Sequence, residues 1–175
     1  LANVLERVKA AAAAGCHGVW IEDCMTDMIG PERFAAYNLP LLQELVQGLR
    51  DAGLYSVYYF CGNPWPYLDL LTATGADALS LEESEKGFAI DIEDVVARTR
   101  GRIAVLGNLD AIGVLEQGSR AELRREVGRQ LAAGRRNHGR FLMSIGSPVT
   151  PGTPIARVRE YVELVRTCRA AGPPC

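Results

Sequence analysis

The chain has 175 residues, of which 48% are hydrophobic and 23% charged, and its formal net charge is −2. This composition is typical of a globular protein with a real core, and it excludes a disordered or fibrous chain. No apolar run approaches the roughly 20 residues of a membrane span, and the charge gives no electrostatic reason to expect nucleic acid. We therefore expect a cytoplasmic protein without nucleic-acid or membrane partners.

The five cysteines are odd in number and widely spaced, and no two of them form a CxxC pair. This spacing argues against a disulfide framework and against a zinc ribbon. We expect the thiols to be reduced.

Short runs of β-forming residues alternate with amphipathic stretches along the chain. An opening helix is predicted over residues 1–14, and helical spacing or capping residues predict the later helices. Strands are predicted near residues 18–22, 55–60, 77–82, 103–107 and 140–145. Helices are predicted over residues 31–52, where Pro40 restarts the helix as a first-turn proline, and over residues 67–74, 90–100, 120–136 and 154–172. Ser119 and Glu122 form the sequence of a capping box, and Thr153 is the predicted N-cap of the last helix.

Five strand-then-helix units in succession predict an α/β fold with a parallel sheet. Their length suits either a (β/α)8 TIM barrel or a doubly wound sheet. No GxGxxG follows the first strand, and polar residues follow every strand, which favours the barrel because its active site draws on many strand ends. Five units cannot close an eight-stranded barrel. We therefore predict one domain over residues 1–175 that forms the C-terminal part of a barrel without its N-terminal units.

The segment of residues 55–65, YSVYYFCGNPW, places a cysteine at the end of a predicted strand. Gly62, Asn63 and Pro64 force a turn there, so we expect the turn to expose the Cys61 thiol. A buried structural cysteine is the alternative.

Polar residues at the predicted strand ends are the candidates for chemistry, because parallel strands point their carboxyl ends at one rim. They are Glu22, Asp23 and Cys24; Cys61 and Asn63; Glu82 and Glu83; Asn108 and Asp110; Ser144 and Ser147. The acids could form a general acid/base pair or an oxygen-rich metal site, or they could be solvated loop caps. Cys24 and Cys61 could add soft zinc ligands. His17 and His138 precede their strands and are predicted at the opposite end, which leaves Lys86 as the nearby cation.

Four segments resemble the C-terminal part of the uroporphyrinogen decarboxylase (URO-D) superfamily. They are IEDCMTDMIGPERFAAYNLP, YYFCGNPW, LGNLDAIGVL and IGSPVTPGTP. The resemblance implies a (β/α)8 enzyme that either decarboxylates uroporphyrinogen, as a lyase of porphyrin biosynthesis, or transfers methyl groups between corrinoids and thiols.

Cys61-Gly62-Asn63 resembles the methyltransferase branch, which binds zinc through a His-x-Cys and a later cysteine. Tyr59 and Ser147 stand at two of those three positions, so the resemblance carries over only Cys61 as a metal ligand, and we expect little bound zinc. The decarboxylase branch handles a substrate with many carboxylates, whereas the strand ends here are acidic.

These considerations predict a catalytic set and a substrate-binding set. The catalytic residues are Glu22, Asp110 and Cys61, and the substrate contacts are Asp23, Tyr59, Asn63, Glu82, Asn108 and Ser147. The expected partner is a small tetrapyrrole or corrinoid, or a corrinoid protein, and we also expect a homo-oligomer. The alternatives are a non-catalytic tetrapyrrole- or corrinoid-binding module and a divalent-metal enzyme that uses Glu22, Glu82 and Asp110.

Overall fold

The computed structural model describes residues 1–84 and 87–171. The chain divides into two compact units, unit 1 (residues 1–80) and unit 2 (from residue 81 onward). The strands are β1 (Gly18–Asp23), β2 (Tyr55–Phe60), β3 (Ala78–Leu81), β4 (Ala104–Leu106) and β5 (Phe141–Leu142). The α-helices are α1 (Ala2–Ala13), α2 (Pro31–Arg33), α3 (Leu39–Asp51), α4 (Leu68–Ala73), α5 (Ile92–Thr99), α6 (Arg120–Arg136) and α7 (Ile155–Ala171). Predictions that involve Lys86, Gly172 and Cys175 lie outside the described residues.

Along the sheet the strands stand in chain order, β1-β2-β3-β4-β5. The pairs β1–β2 and β4–β5 are parallel, and helical segments separate consecutive strands, as parallel crossovers require. The predicted alternation of strands and helices is therefore confirmed. β2 has its predicted bounds, while β1, β3 and β4 differ from prediction by one residue at one or both ends. No helix in the described part of the chain is long and apolar enough to cross a membrane.

In unit 1, one side of the β1–β2 pair is covered by helices. Val8 of α1, Leu49 of α3 and Leu54 form a buried cluster, and Val19 and Ile21 of β1 pack against it. Because successive strand residues point to opposite faces, Trp20 and Glu22 must lie on the other face. The apolar residues of β1 therefore determine which of its polar neighbours face away from the helix layer.

The helix predicted over residues 31–52 is interrupted by a π-helical segment, Phe34–Asn38. There the N–H of Leu39 bonds the carbonyl of Phe34, five residues back. Pro40 explains the interruption, because a proline inside a helix has no N–H to donate and clashes with the carbonyl four residues earlier. The prediction that Pro40 restarts the helix as a first-turn proline is confirmed, because α3 begins at Leu39 with Pro40 in its first turn.

In unit 2, β5 is shorter than the predicted strand over residues 140–145. It pairs with β4 at Val105↔Phe141 and Leu106↔Leu142, and the pairing resumes only at the isolated bridge Leu109↔Ile145. A Cβ at Gly107 would lie 3.3 Å from the Ser144 nitrogen. The segments that carry Gly107 and Ser144 therefore pass close to each other between the β4–β5 pairing and the Leu109↔Ile145 bridge.

In unit 2 the start of α6 agrees with the sequence prediction, and the start of α7 differs from it. The capping box of α6 is present, with Ser119 N–H donating to Glu122 at 2.7 Å and Glu122 N–H donating to Ser119 at 3.2 Å. Thr153 is not the N-cap of α7. Its hydroxyl pairs with that of Thr150 at 2.9 Å, and the carbonyl that accepts the first helical bond is that of Pro154, 2.9 Å from the Arg157 nitrogen.

Arg157 joins α7 to the segment that follows β4. Its guanidinium donates to the carbonyls of Leu115 at 2.8 Å and Val114 at 3.2 Å and pairs with Glu160 at 2.8 Å, while its side chain is only 12% exposed. The buried cluster beneath it contains Leu109, Leu115, Leu123, Val127, Tyr161, Leu164 and Cys168. Burial raises the pKa of Tyr161 to about 12.

Two features of unit 2 concern charge and thiols. Arg129 of α6 forms an ion pair with Asp91 at 2.8 Å. Burial raises the pKa of the Asp91 carboxyl, yet hydrogen bonds from the Glu93 N–H and from Arg129 outweigh it and leave that pKa below its ordinary value. Cys168 is disulfide-bonded, so the expectation of reduced thiols is wrong there. It holds for Cys16, Cys24 and Cys61.

Candidate functional site

The polar end of the β1–β2 pair brings two thiols and a carboxylate together. The register pairs Glu22 with Tyr59 and Asp23 with Phe60, so the next residues along the two strands are Cys24 and Cys61. Their sulfur atoms lie 3.5 Å apart, and the Cys24 thiol also donates to Glu22 Oε1 at 3.3 Å. Side-chain alternation therefore gathers Glu22, Cys24, Tyr59 and Cys61 on the sheet face opposite the α1 and α3 cluster.

Aromatic rings continue this face below the thiols. Trp20 and Tyr59 lie in neighbouring strands with ring centroids 5.4 Å apart and planes tilted by 35°. The Trp20 side is open, with 48% of the residue exposed. The face therefore combines flat apolar surface with soft sulfur atoms and an exposed carboxylate, Glu22.

The expectation that the turn exposes Cys61 is wrong, because only 8% of the residue is accessible. The turn after β1 packs against the turn after β2: Asp27 accepts a hydrogen bond from Asn63 N–H at 3.2 Å, and its carbonyl accepts one from the Tyr67 hydroxyl at 2.8 Å. Gly62 makes this contact feasible, because it has a φ of +116° and any Cβ there would overlap the Asp27 carboxylate. Cys24 is the exposed thiol of the pair.

Asp23 points to the opposite face and has a partner that the sequence reasoning missed. Its carboxylate accepts a 2.7 Å hydrogen bond from the hydroxyl of Tyr58, which is buried in β2. Burial raises the pKa of Tyr58, and the hydrogen bond and negative charge of Asp23 raise it further. Alternation along β2 could have separated Tyr58 from Tyr59, but only the strand register assigns Tyr58 to Asp23.

In unit 2, Asn108 and Asp110 bind the backbone around them. Asn108 is buried and donates through Nδ2 to the carbonyls of Glu82 at 3.1 Å and Ile90 at 2.8 Å. Asp110 caps the π-helical segment that follows it, accepting from the N–H groups of Ile112 at 2.9 Å and Gly113 at 2.7 Å. These contacts show that both side chains stabilise the local backbone. The substrate-binding role of Asn108 and the catalytic role of Asp110 stay predictions.

The loop after β5 is tied to the end of β3. Ser147 donates to Glu83 Oε2 at 2.8 Å, and Glu83 is buried. Gly146 lies so close that an added Cβ would overlap the Glu83 backbone nitrogen. Ser144 turns back on the backbone and donates to the Ile145 carbonyl at 3.1 Å. Ser147 and Glu83 are thus brought together.

In the turn after β2, the side-chain oxygen of Asn63 accepts a hydrogen bond from the Trp65 N–H at 3.2 Å.

The donor set does not fit the zinc site of the methyltransferase branch. Tyr59 packs on Trp20 and Ser147 binds Glu83, and neither side chain is a good zinc ligand. Among residues 1–84 and 87–171, no group of three or more His, Cys, Asp or Glu side chains is placed to hold a metal ion. Two thiols alone leave a tetrahedral cation short of protein ligands.

The sequence model of the family described as "Uroporphyrinogen decarboxylase (URO-D)" matches residues 1–168. The chain belongs to the uroporphyrinogen decarboxylase family. Among curated URO-D relatives, the methylcobamide:CoM methyltransferase MtbA of Methanosarcina mazei is 25% identical over 143 residues, which are 82% of this chain and 39% of MtbA. A uroporphyrinogen decarboxylase of Legionella pneumophila is 28% identical over 165 residues, which are 94% of this chain and 44% of that enzyme. The chain thus spans less than half the length of these relatives.

The solved structures confirm the fold class of this URO-D chain. A methyltransferase from Methanosarcina mazei superposes with a TM-score of 0.79 at 21% identity, over 94% of this chain and 46% of that one. The citrate synthase SbnG superposes with a TM-score of 0.56 at 12% identity, over 93% of this chain and 69% of that one. The chain is therefore an α/β protein of (β/α)8 TIM-barrel type, and its described residues contain five strands with their helices.

Proposed function

We propose that this chain supplies the thiol-bearing part of an active site that transfers a methyl group from a methylated corrinoid to a small thiol. The observation that supports this assignment is the pair of sulfur atoms, Cys24 and Cys61, 3.5 Å apart on the β1–β2 face opposite the α1 and α3 cluster. On that face Trp20 is 48% exposed and packs on the buried Tyr59 ring, so the indole offers an apolar surface that suits a flat macrocycle. The similarity to MtbA agrees with this branch of the family.

Charge favours methyl transfer over decarboxylation of a substrate with many carboxylates. Residues 10–32 and 51–85, which include the segments that follow β1 and β2, contain no lysine or arginine, and the segment that follows β3 contains a single one, Lys86. A polycarboxylate needs such cations, because carboxylates pair most strongly with guanidinium and ammonium groups. Near Cys61 the charged side chains are acids, Glu22 and Asp27 among them.

Glu22 is the proton acceptor in this proposal. It is exposed, lies on the face of the two thiols and already accepts a hydrogen bond from a thiol, that of Cys24. The acceptor sulfur of the substrate would give its proton to Glu22 and its electron pair to the methyl carbon. The electron pair of the cobalt–carbon bond would stay on cobalt, which leaves the corrinoid reduced by two electrons. Cys61 and Tyr59 would position the substrate from the same face.

The test uses the whole protein that carries this chain, supplied with methylcobalamin and 2-mercaptoethanesulfonate. We expect the visible spectrum to show loss of the methyl–cobalt bond, and we expect Glu22→Gln to slow it by about 10²- to 10⁴-fold, the usual contribution of a general base. Cys16→Ser is the matched control, since Cys16 is an exposed thiol outside the site. Release of carbon dioxide from uroporphyrinogen without any loss of the methyl group would overturn the proposal.

A second candidate is a non-catalytic corrinoid- or tetrapyrrole-binding module. Tyr59 and Ser147 favour it, because they replace two ligands of the family and are engaged in packing and in a hydrogen bond to Glu83. Quenching of Trp20 fluorescence by cobalamin without turnover would support this module. A corrinoid-protein partner, a homo-oligomer and a cytoplasmic location remain predictions.

A further inference from the structure

The free thiols of the described residues differ sharply in their surroundings. Cys16 and Cys24 are exposed, whereas Cys61 is buried. Cys24 and Cys61 are 37 residues apart in sequence, yet their sulfur atoms are 3.5 Å apart. In the proposed methyl transfer the two thiols line the substrate face, and neither of them changes its covalent state.

Strand pairing makes this pair suitable for a covalent bond. Cys24 and Cys61 each follow the last paired residues of β1 and β2, Asp23 and Phe60. Neighbouring strands lie about 4.8 Å apart, within the Cα separation of roughly 4.4–6.8 Å that disulfides span. The sulfur atoms need to approach by about 1.5 Å to reach a disulfide bond length, which side-chain rotation can supply.

We propose that Cys24 and Cys61 form a reversible disulfide, a modification site whose oxidant is a low-molecular-weight disulfide. The exposed Cys24 sulfur attacks one sulfur of the small disulfide, forms a mixed disulfide and releases one small thiol. The buried Cys61 sulfur then attacks the Cys24 sulfur and releases the second small thiol. The two cysteines lose two electrons to the small disulfide, and their two protons leave on the two released thiols.

The order of these steps follows from access. A small disulfide can reach Cys24, but it meets Cys61 only through Cys24, because the turn that carries Asp27 packs over the Gly62 segment. The second step is intramolecular and needs no access from solvent. The disulfide form would lack both thiol groups on the face that we assign to the substrate, so oxidation would lower the activity of that site.

The experiment exposes the native, reduced protein to glutathione disulfide, blocks the remaining thiols by alkylation and maps the peptides by mass spectrometry. A protease that cuts after glutamate separates Cys16 from Cys24, because Glu22 lies between them. We expect a Cys24–Cys61 linked peptide, with Cys16 outside the link. Cys16→Ser should form the same link.

The variants separate the two steps. In Cys61→Ser the second step cannot occur, so Cys24 should accumulate as the glutathione adduct. In Cys24→Ser the buried Cys61 should stay reduced and resist alkylation. A wild-type protein that keeps a glutathione adduct on Cys24 without a link to Cys61, or that links Cys16 instead, would overturn the proposal. The readout is a mass, so its failure is independent of whether the methyl transfer proposal fails.

Discussion

Replacing Tyr58 by phenylalanine tests the buried polar contact beneath the site. The substitution keeps the ring, which is 1% exposed, and removes only the hydroxyl that donates to Asp23 at 2.7 Å. A hydrogen bond to a charged acceptor contributes about 1.5–3 kcal/mol net. Asp23 is only partly buried and can regain some hydration, so we expect a loss of about 1.5–2 kcal/mol in the free energy of unfolding. At roughly 2–4 °C per kcal/mol, the melting temperature should fall by about 3–8 °C.

Urea unfolding followed by tryptophan fluorescence measures this change, since Trp20 lies in the strand next to Tyr58. Tyr55→Phe is the matched control: it removes the same hydroxyl from the same strand, but Tyr55 is exposed, so the expected change is within about 0.5 kcal/mol. A double-mutant cycle with Asp23→Asn should show coupling between Tyr58 and Asp23. Equal losses from the two tyrosine substitutions, or additive effects in the cycle, would refute the reasoning.

Three further predictions concern unit 2. Arg157→Ala should lower the free energy of unfolding by about 2–4 kcal/mol, because it leaves without a partner the backbone carbonyls that the nearly buried guanidinium binds. Arg159 is exposed, so Arg159→Ala should change the free energy by less than about 0.5 kcal/mol in the same urea titration. Gly146→Ala should cost about 1–3 kcal/mol in thermal unfolding, since its Cβ would displace the Glu83 backbone, and a melting temperature equal to wild type would contradict that close approach. The lowered pKa of Asp91 contributes stability that is present above the ordinary carboxyl pKa of about 3.9 and is lost as pH falls through the folded-state value. Because Asp91 is 45% exposed, the contribution should be below about 1 kcal/mol. Asp91→Asn should therefore lower the free energy of unfolding by up to that amount at neutral pH, converge with wild type in acid and so flatten the acid limb of stability against pH.

The sequence predicts most strands and helices because their signals are local. The β-formers of residues 55–60 predict β2 with its observed bounds, and the capping box at Ser119 and Glu122 predicts the start of α6. The errors arise from contacts that residue type alone does not reveal. Thr153 has the residue type of an N-cap, but the nearby Thr150 takes its hydroxyl, and β5 ends early where Gly107 approaches Ser144.

The sequence predicts the candidate site only as a list of strand-end residues. The list does not say which residues of β1 and β2 lie side by side, because that depends on the register of the two strands. Glu22 and Asp23 are neighbours in sequence, and both were assigned to the substrate side, although adjacent strand residues must face opposite ways. A shift of β1 against β2 by one residue would place Cys24 opposite Phe60 or Gly62 instead of Cys61, and the two sulfur atoms would not meet. The observed register follows from packing that spans residues far apart in sequence: Val19 and Ile21 must reach the α1 and α3 cluster while Tyr58 reaches Asp23. The thiol pair is thus a consequence of burying the opposite face of the same strands. Substitutions that loosen this burial, Tyr58→Phe among them, should therefore also slow formation of the Cys24–Cys61 link.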